Sequence, residues 1–142
     1  MRIAAMDAFD QAATQACFEV VRAADETDDP LGPPWSLRRL RSWLQYPADP
    51  AETWVCRDET SGAVRGWYYL GLPGRENRER AYLNVAVHPA ARRRGTGSAL
   101  LRHAAGRAAA NRHMIAINEE LGYELLGPLT QNYRLAVAGW AG

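Results

Sequence analysis

The most constraining stretch of this 142-residue chain runs Val85-Ala86-Val87-His88-Pro89-Ala90-Ala91-Arg92-Arg93-Arg94-Gly95-Thr96-Gly97-Ser98-Ala99-Leu100-Leu101. It reads, in order, as a β-strand, a proline-ended turn, a basic Gly-x-Gly loop and a helix. Glycines let the backbone come close to a ligand. The first N–H groups of a helix lack intrahelical partners and lie at the positive end of its dipole. A junction of this kind is a cradle for a pyrophosphate, and arginines add charge around it. Two other phosphate loops are excluded. The third glycine of a dinucleotide fingerprint is replaced by Leu100, and no Gly-Lys-Ser/Thr follows as in a P-loop.

Charge agrees with a local anion site. All 17 basic residues are arginine, and the net charge is only +1. Between Ala81 and Asn118 lie six arginines and no acid, which leaves the remainder at −5. A basic block on a near-neutral chain suits a local anion better than a polyanion. The block has few aromatics, which argues against stacking on single-stranded nucleic acid. A solvated helix face is the bland alternative.

The rest of the chain suits one compact domain, residues 1–142. Residues 2–6 read as a short strand. Phe9, Ala13, Ala16, Cys17, Val20 and Val21 have helical period from about Ala8 to Ala24, and the run from Asp25 to Pro30 is expected to stop that helix. Ser36 is an N-cap for a second helix, with Leu37, Leu40, Trp43 and Leu44 on one face. Glu52 to Asp58, Val64 to Leu72 and Tyr82 to Val87 read as an antiparallel meander. Gly97 to Ala110 reads as a helix striped by Leu100, Leu101, Ala104, Ala105 and Ala108. Asn111 is expected to cap a last helix carrying Met114, Ile115, Ile117 and Leu121, stopped by Gly122. Residues 123–126 and 133–137 read as final strands.

The pattern Arg92-x-x-Gly95-x-Gly97, preceded by Val87-x-Pro89 and followed by an Ala-Leu-Leu helix, resembles the acetyl-CoA signature of the GNAT N-acetyltransferase superfamily. Asn111-x-x-Met114-x-x-x-Asn118-Glu119-x-Leu121-Gly122-Tyr123 resembles its closing helix and turn, nearest to actinobacterial-type members. The resemblance spans most of the chain. It implies an α/β fold, a GNAT-like mixed sheet with flanking helices. It implies acetyl-CoA as co-substrate and acetyl transfer to a primary amine of a small molecule or peptide. Backbone groups of Val85, Ala86 and Val87 would hold the pantetheine arm and polarise the thioester carbonyl. Arg92, Arg93, Arg94, Gly95, Thr96, Gly97 and Ser98 would hold the pyrophosphate.

Three departures are visible against that family. Only thirteen residues separate Gly97 from Asn111, so the chain reads as shortened, with the strand after the motif helix missing. A frequent tyrosine acid is replaced by Asn118. A frequent glutamate base is replaced by Asn84, which cannot take a proton. No catalytic side chain is assigned, and water, or an acid elsewhere such as Glu119 or Asp58, is left to substitute. A catalytically impaired acyl-CoA-binding or regulatory remnant is therefore the alternative, and a homodimer completing the sheet is a structural one. The acidic run at residues 25–29 and Trp35, Trp43 and Trp67 either border an acceptor site or serve as solvated loop and core. His88, His103 and His113 have no ligand spacing, so no metal is expected. No apolar run suits a membrane span and the N-terminus has no signal-peptide pattern. Cys17 and Cys56 form no disulfide framework, and a reducing cytoplasm fits.

Overall fold

The computed structural model describes residues 1–48, 50–72, 80–110 and 114–117, with backbone alone for Arg80 and for 114–117. The elements are β1 (Arg2–Ala5), α1 (Gln11–Asp28), α2 (Leu37–Gln45), β2 (Ala51–Arg57), β3 (Val64–Gly71), β4 (Arg80–Val87), a 3-10 turn (Pro89–Ala91), α3 (Thr96–Ala110) and β5 (Met114–Ile117). The five strands form one sheet in chain order. Neighbours from β1 to β4 are antiparallel, and β4 and β5 are parallel. A parallel pair needs a crossover, and α3 supplies it.

Alternation along the strands sorts side chains onto two faces. One face carries Tyr68, Leu70, Leu83, Val85 and Val87, which pack against Leu100, Leu101, Ala104 and Ala108 of α3. The other carries Val55, Trp67, Tyr69 and Ala86, which pack against Cys17, Val20 and Val21 of α1 and Leu40 and Leu44 of α2. The expected α3 stripe is therefore the buried one, with Ala105 at its margin.

Caps fix the helix starts. The Asp10 carboxylate accepts the Ala13 N–H at 3.1 Å, and the Ser36 hydroxyl accepts the Arg39 N–H at 3.1 Å. Gly66 lets α3 come close to the sheet. A Cβ there would lie 2.9 Å from Leu100 Cδ1 and 3.1 Å from the Ala86 carbonyl oxygen.

Two expectations need correction. The acidic run does not stop α1 at Ala24, because the helix continues through Asp28. Pro30 is the true limit, since its ring excludes helical geometry in the residue before it. The strand after the motif helix is not missing. It is β5, built from Met114–Ile117, the segment expected to open a last helix. Two isoleucines in a four-residue apolar run favour a strand, and the free edge of β4 offers a ladder. A short apolar run has no period that decides between helix and strand. The expected cap at Asn111, the expected closing turn and the two final strands lie outside the described residues.

Candidate functional site

The site is built at the end of β4. The His88 N–H donates to the Arg65 carbonyl on β3 at 2.8 Å. By strand alternation the main-chain groups of Ala86 and Asn84 also face β3, and those of Val85 and Val87 face the β5 side. Pairing with β5 among the described residues covers only Arg80–Leu83. Among the described residues no strand pairs with the outward main-chain groups of Val85 and Val87. The side chains of Val85 and Val87 are buried on the α3 face and that of Ala86 on the opposite face, so only backbone is offered to a ligand.

The chain then turns sharply. The His88 Nδ1 accepts the Ala90 N–H at 3.1 Å and caps the 3-10 turn that Pro89 begins. Arg93 has φ 62° and Gly95 φ 81°, while Arg94 between them stays at negative φ. Alternating hands of this kind turn successive N–H groups to one side and make an anion nest. A Cβ on Gly95 would meet nothing within 4 Å, so that glycine is required by its φ and stands in open space.

Helix α3 starts next, and Ala99 makes a helical bond to the Gly95 carbonyl at 2.9 Å. The N–H groups of Thr96, Gly97 and Ser98 precede that bond. All three residues are buried, and the first turn of α3 holds no acid to compete for its dipole. Arg93 and Arg94 are exposed beside them. The expected loop residues 92–98 are therefore brought together at one end of β4. The arrangement can bind a phosphate through backbone donors and arginine charge.

Arg92 has a partner that sequence reasoning missed. Its Nη1 and Nη2 donate to Oδ1 and Oδ2 of Asp28, each at 2.6 Å. No spacing signal reveals a pair 64 positions apart. Asp28 closes α1, where burial and then the Asp29 and Asp28 charges raise the Asp25 carboxyl above its usual range.

The position expected for a base is Asn84. It is 1% exposed, and neither its Nδ2 nor its Oδ1 has a hydrogen-bond partner among the described residues. Trp67 Nε1, on the same face of the neighbouring strand, is likewise unpartnered among them. Asp58 is an unsuitable substitute. It accepts the Thr60 and Ser61 N–H groups, which hold its carboxyl below the usual range, and so it serves the β2–β3 turn. Asn118 and Glu119 lie outside the described residues.

The tryptophans divide. Trp67 is fully buried core, while Trp35, Trp43 and Tyr69 form a ring stack with centroids 5.8 and 4.1 Å apart. His103, expected to be unremarkable, accepts or donates at Nδ1 toward the Tyr68 hydroxyl at 2.6 Å on the α3 face.

The Acetyltransferase (GNAT) domain family matches residues 49–137, well over half of the chain. This chain belongs to the GNAT acetyltransferase family. No curated protein is similar enough in sequence to count as a relative. Solved structures share the GNAT fold. A tandem GNAT protein from the clavulanic acid biosynthesis pathway, without AcCoA, superposes with TM-score 0.71 and 24% identity over 96% of this chain and 43% of that one. A GCN5-related N-acetyltransferase from Kribbella flavida gives 0.65 and 22%, over 80% and 68% of the two chains. A GNAT superfamily phosphinothricin acetyltransferase from Sinorhizobium meliloti, in complex with AcCoA, gives 0.61 and 23%, over 77% and 60%. This GNAT domain spans less than half the length of the tandem protein. No helix among the described residues is long and apolar enough to cross a membrane.

Proposed function

We propose that this GNAT domain binds acetyl-CoA and transfers its acetyl group to a primary amine of a small molecule or peptide. The observation that carries the reading is the nest at Arg93–Gly95 running into an acid-free α3 N-terminus, at the end of β4. Two acetyl-CoA complexes among its structural neighbours, the Sinorhizobium enzyme and one from Salmonella typhimurium, support the same ligand. The bound co-substrate supplies a thioester, an acyl group already activated toward an amine.

The chain's own residues divide the remaining work. Gly95, Thr96, Gly97 and Ser98 present backbone donors to the pyrophosphate, and Arg92, Arg93 and Arg94 present cations. Val85, Ala86 and Val87 present main chain to the pantetheine arm, with the outward N–H groups near the thioester carbonyl. Holding donor and acceptor in register then supplies much of the rate. Residues 1–142 act in this reading as a single acyl-CoA-binding domain of the cytoplasm. Its buried thiols agree with a reducing compartment, and burial pushes the Cys17 thiol up to about 12.

Asn84 favours a second reading, a domain that binds acyl-CoA without turnover. A carboxamide accepts no proton at neutral pH, so a proton leaving the amine must go elsewhere. Calorimetric titration with acetyl-CoA tests the shared step. The wild type should bind, and Gly97→Trp, with its fold checked by circular dichroism, should abolish binding. Release of free thiol with a panel of amines then separates the two readings: transfer supports the enzyme, and binding without any transfer supports the remnant. A folded wild type that binds no acetyl-CoA defeats both. Steeply salt-dependent binding of polyanions in its place would favour a nucleic-acid role.

A further inference from the structure

We propose that Asp28 is a built-in competitor for the donor's pyrophosphate. Acetyl-CoA binds by taking Arg92 away from Asp28, and so uncouples the end of α1 from the phosphate loop. The inference rests on the acyl-CoA reading above and deepens it, since it concerns how that site is regulated.

The pair is a full fork-to-fork contact, with both terminal guanidinium nitrogens on both carboxylate oxygens at 2.6 Å. That geometry is the one an arginine also offers to phosphate. Arg92 lies one residue before the nest, on the stretch whose backbone faces the anion site. One set of donors therefore serves two anions, an aspartate within the chain and a phosphate from outside.

The α1 end explains why the guanidinium is drawn there. Asp28 sits in the last turn of α1, at the negative end of the helix dipole. That turn carries no basic residue, and the charges of Asp29 and Asp28 are both felt at Asp25 one turn earlier. Among the described residues, Arg92 reaches this end from across the fold. The contact is weak enough to exchange. The Arg92 and Asp28 side chains are 35% and 38% exposed, so solvent screens the pair. A pyrophosphate carries more charge than one carboxylate and is already held by the helix N-terminus and the nest. Asp28 is thus a positioning residue that acts through Arg92. Once released, it leaves the acidic turn of α1 without that cation.

The test is calorimetric titration of acetyl-CoA at low salt, where such charges are least screened. It uses the whole chain as wild type, Asp28→Asn, Asp28→Ser, Arg92→Gln and the Asp28→Asn/Arg92→Gln double variant, each checked for fold by circular dichroism. Removing the competitor should tighten binding about threefold in both Asp28 variants. Arg92→Gln should weaken it about tenfold. The double variant should match Arg92→Gln, because Asp28 has no effect once its arginine is gone. A merely structural Asp28 would weaken binding when removed. Equal tightening in the Arg92→Gln background would show a general field effect, and either result overturns the exchange.

Amide exchange is a second readout that needs no variant. Saturating acetyl-CoA should speed exchange of the Asp29 N–H, which bonds the Asp25 carbonyl at 2.8 Å in the last turn of α1. Unchanged or slowed exchange there overturns the proposal. Wild type that binds no acetyl-CoA fails at the earlier step and removes the functional reading itself. Binding with unchanged or weakened affinity in the Asp28 variants removes only the exchange.

Discussion

The two faces of the sheet differ in the polar side chains packed on them: a half-buried, bonded network on one, a fully buried amide on the other. On the α3 face they are tied together. Glu52 takes two bonds from Arg107, at 2.7 and 2.5 Å, and one from Trp54 Nε1 at 2.9 Å. Trp54 packs on the His103 ring with centroids 4.5 Å apart, and His103 Nδ1 meets the Tyr68 hydroxyl at 2.6 Å. On the α1/α2 face, Asn84 and Trp67 carry buried polar atoms without partners among the described residues. The difference teaches where each face is used. The α3 face must hold still, because α3 begins at the phosphate loop. The opposite face holds, in β4, a buried amide with no hydrogen-bond partner among the described residues. Satisfied networks rigidify a core, and unsatisfied groups are retained at a cost in stability.

The largest expected effects separate stability from binding. Leu100→Ala and Leu40→Ala each delete a fully buried leucine and should each cost about 3 kcal/mol in denaturant unfolding. Only Leu100→Ala should also weaken acetyl-CoA binding, because Leu100 seats the helix that carries the loop. Equal loss of affinity in Leu40→Ala would erase the distinction between the faces.

A matched pair of polar-to-apolar changes sharpens it further. Tyr68→Phe strips the partner from His103 Nδ1 and should lower stability by about 1 kcal/mol. Asn84→Leu removes two buried atoms that have no partner among the described residues and should raise stability by a similar amount, about 1 kcal/mol. Opposite signs in parallel unfolding curves support the contrast. A loss in Asn84→Leu as large as in Tyr68→Phe would mean that Asn84 is satisfied after all.

The smallest effect is a pH dependence of the α3 face. Burial first, then Arg107, holds the His103 pKa below its usual 6.5, against the opposing pull of Glu52. The unfolded chain therefore takes up that proton first. The His103 contribution is complete above about pH 6.5 and is lost as pH falls toward the lower folded value. The Glu52 carboxyl is held below its usual 4.5, chiefly by the Arg107 hydrogen bond. Its contribution is complete above about pH 4.5 and is lost as pH falls through the folded value. Melting temperature should thus decline from pH 7 to pH 5.5, and His103→Gln should flatten that decline. An unchanged slope in His103→Gln would take the histidine out of the account.

Much of the candidate site is legible in the sequence. The strand end, the proline turn, the glycine loop and the helix start are all local chemistry. Gly95 needs positive φ, and the sequence places glycine there. Arg93 at positive φ was not legible, since nothing local marks an arginine for that conformation. Ser36 as a cap and the α3 stripe followed from side-chain chemistry and period. The Arg92–Asp28, Glu52–Arg107 and Tyr68–His103 pairs span 64, 55 and 35 positions, and no pattern in one sequence links such partners.

The sequence by itself determined the glycine loop and helix start after β4, the meander of β2 to β4 and the helices around it, because turn geometry, capping and periodicity act over a few residues. Only the tertiary structure decided that 114–117 is a strand and which charge holds Arg92. Those outcomes depend on a free sheet edge and on side chains brought together by folding. An identical local segment takes either form until its neighbours are in place.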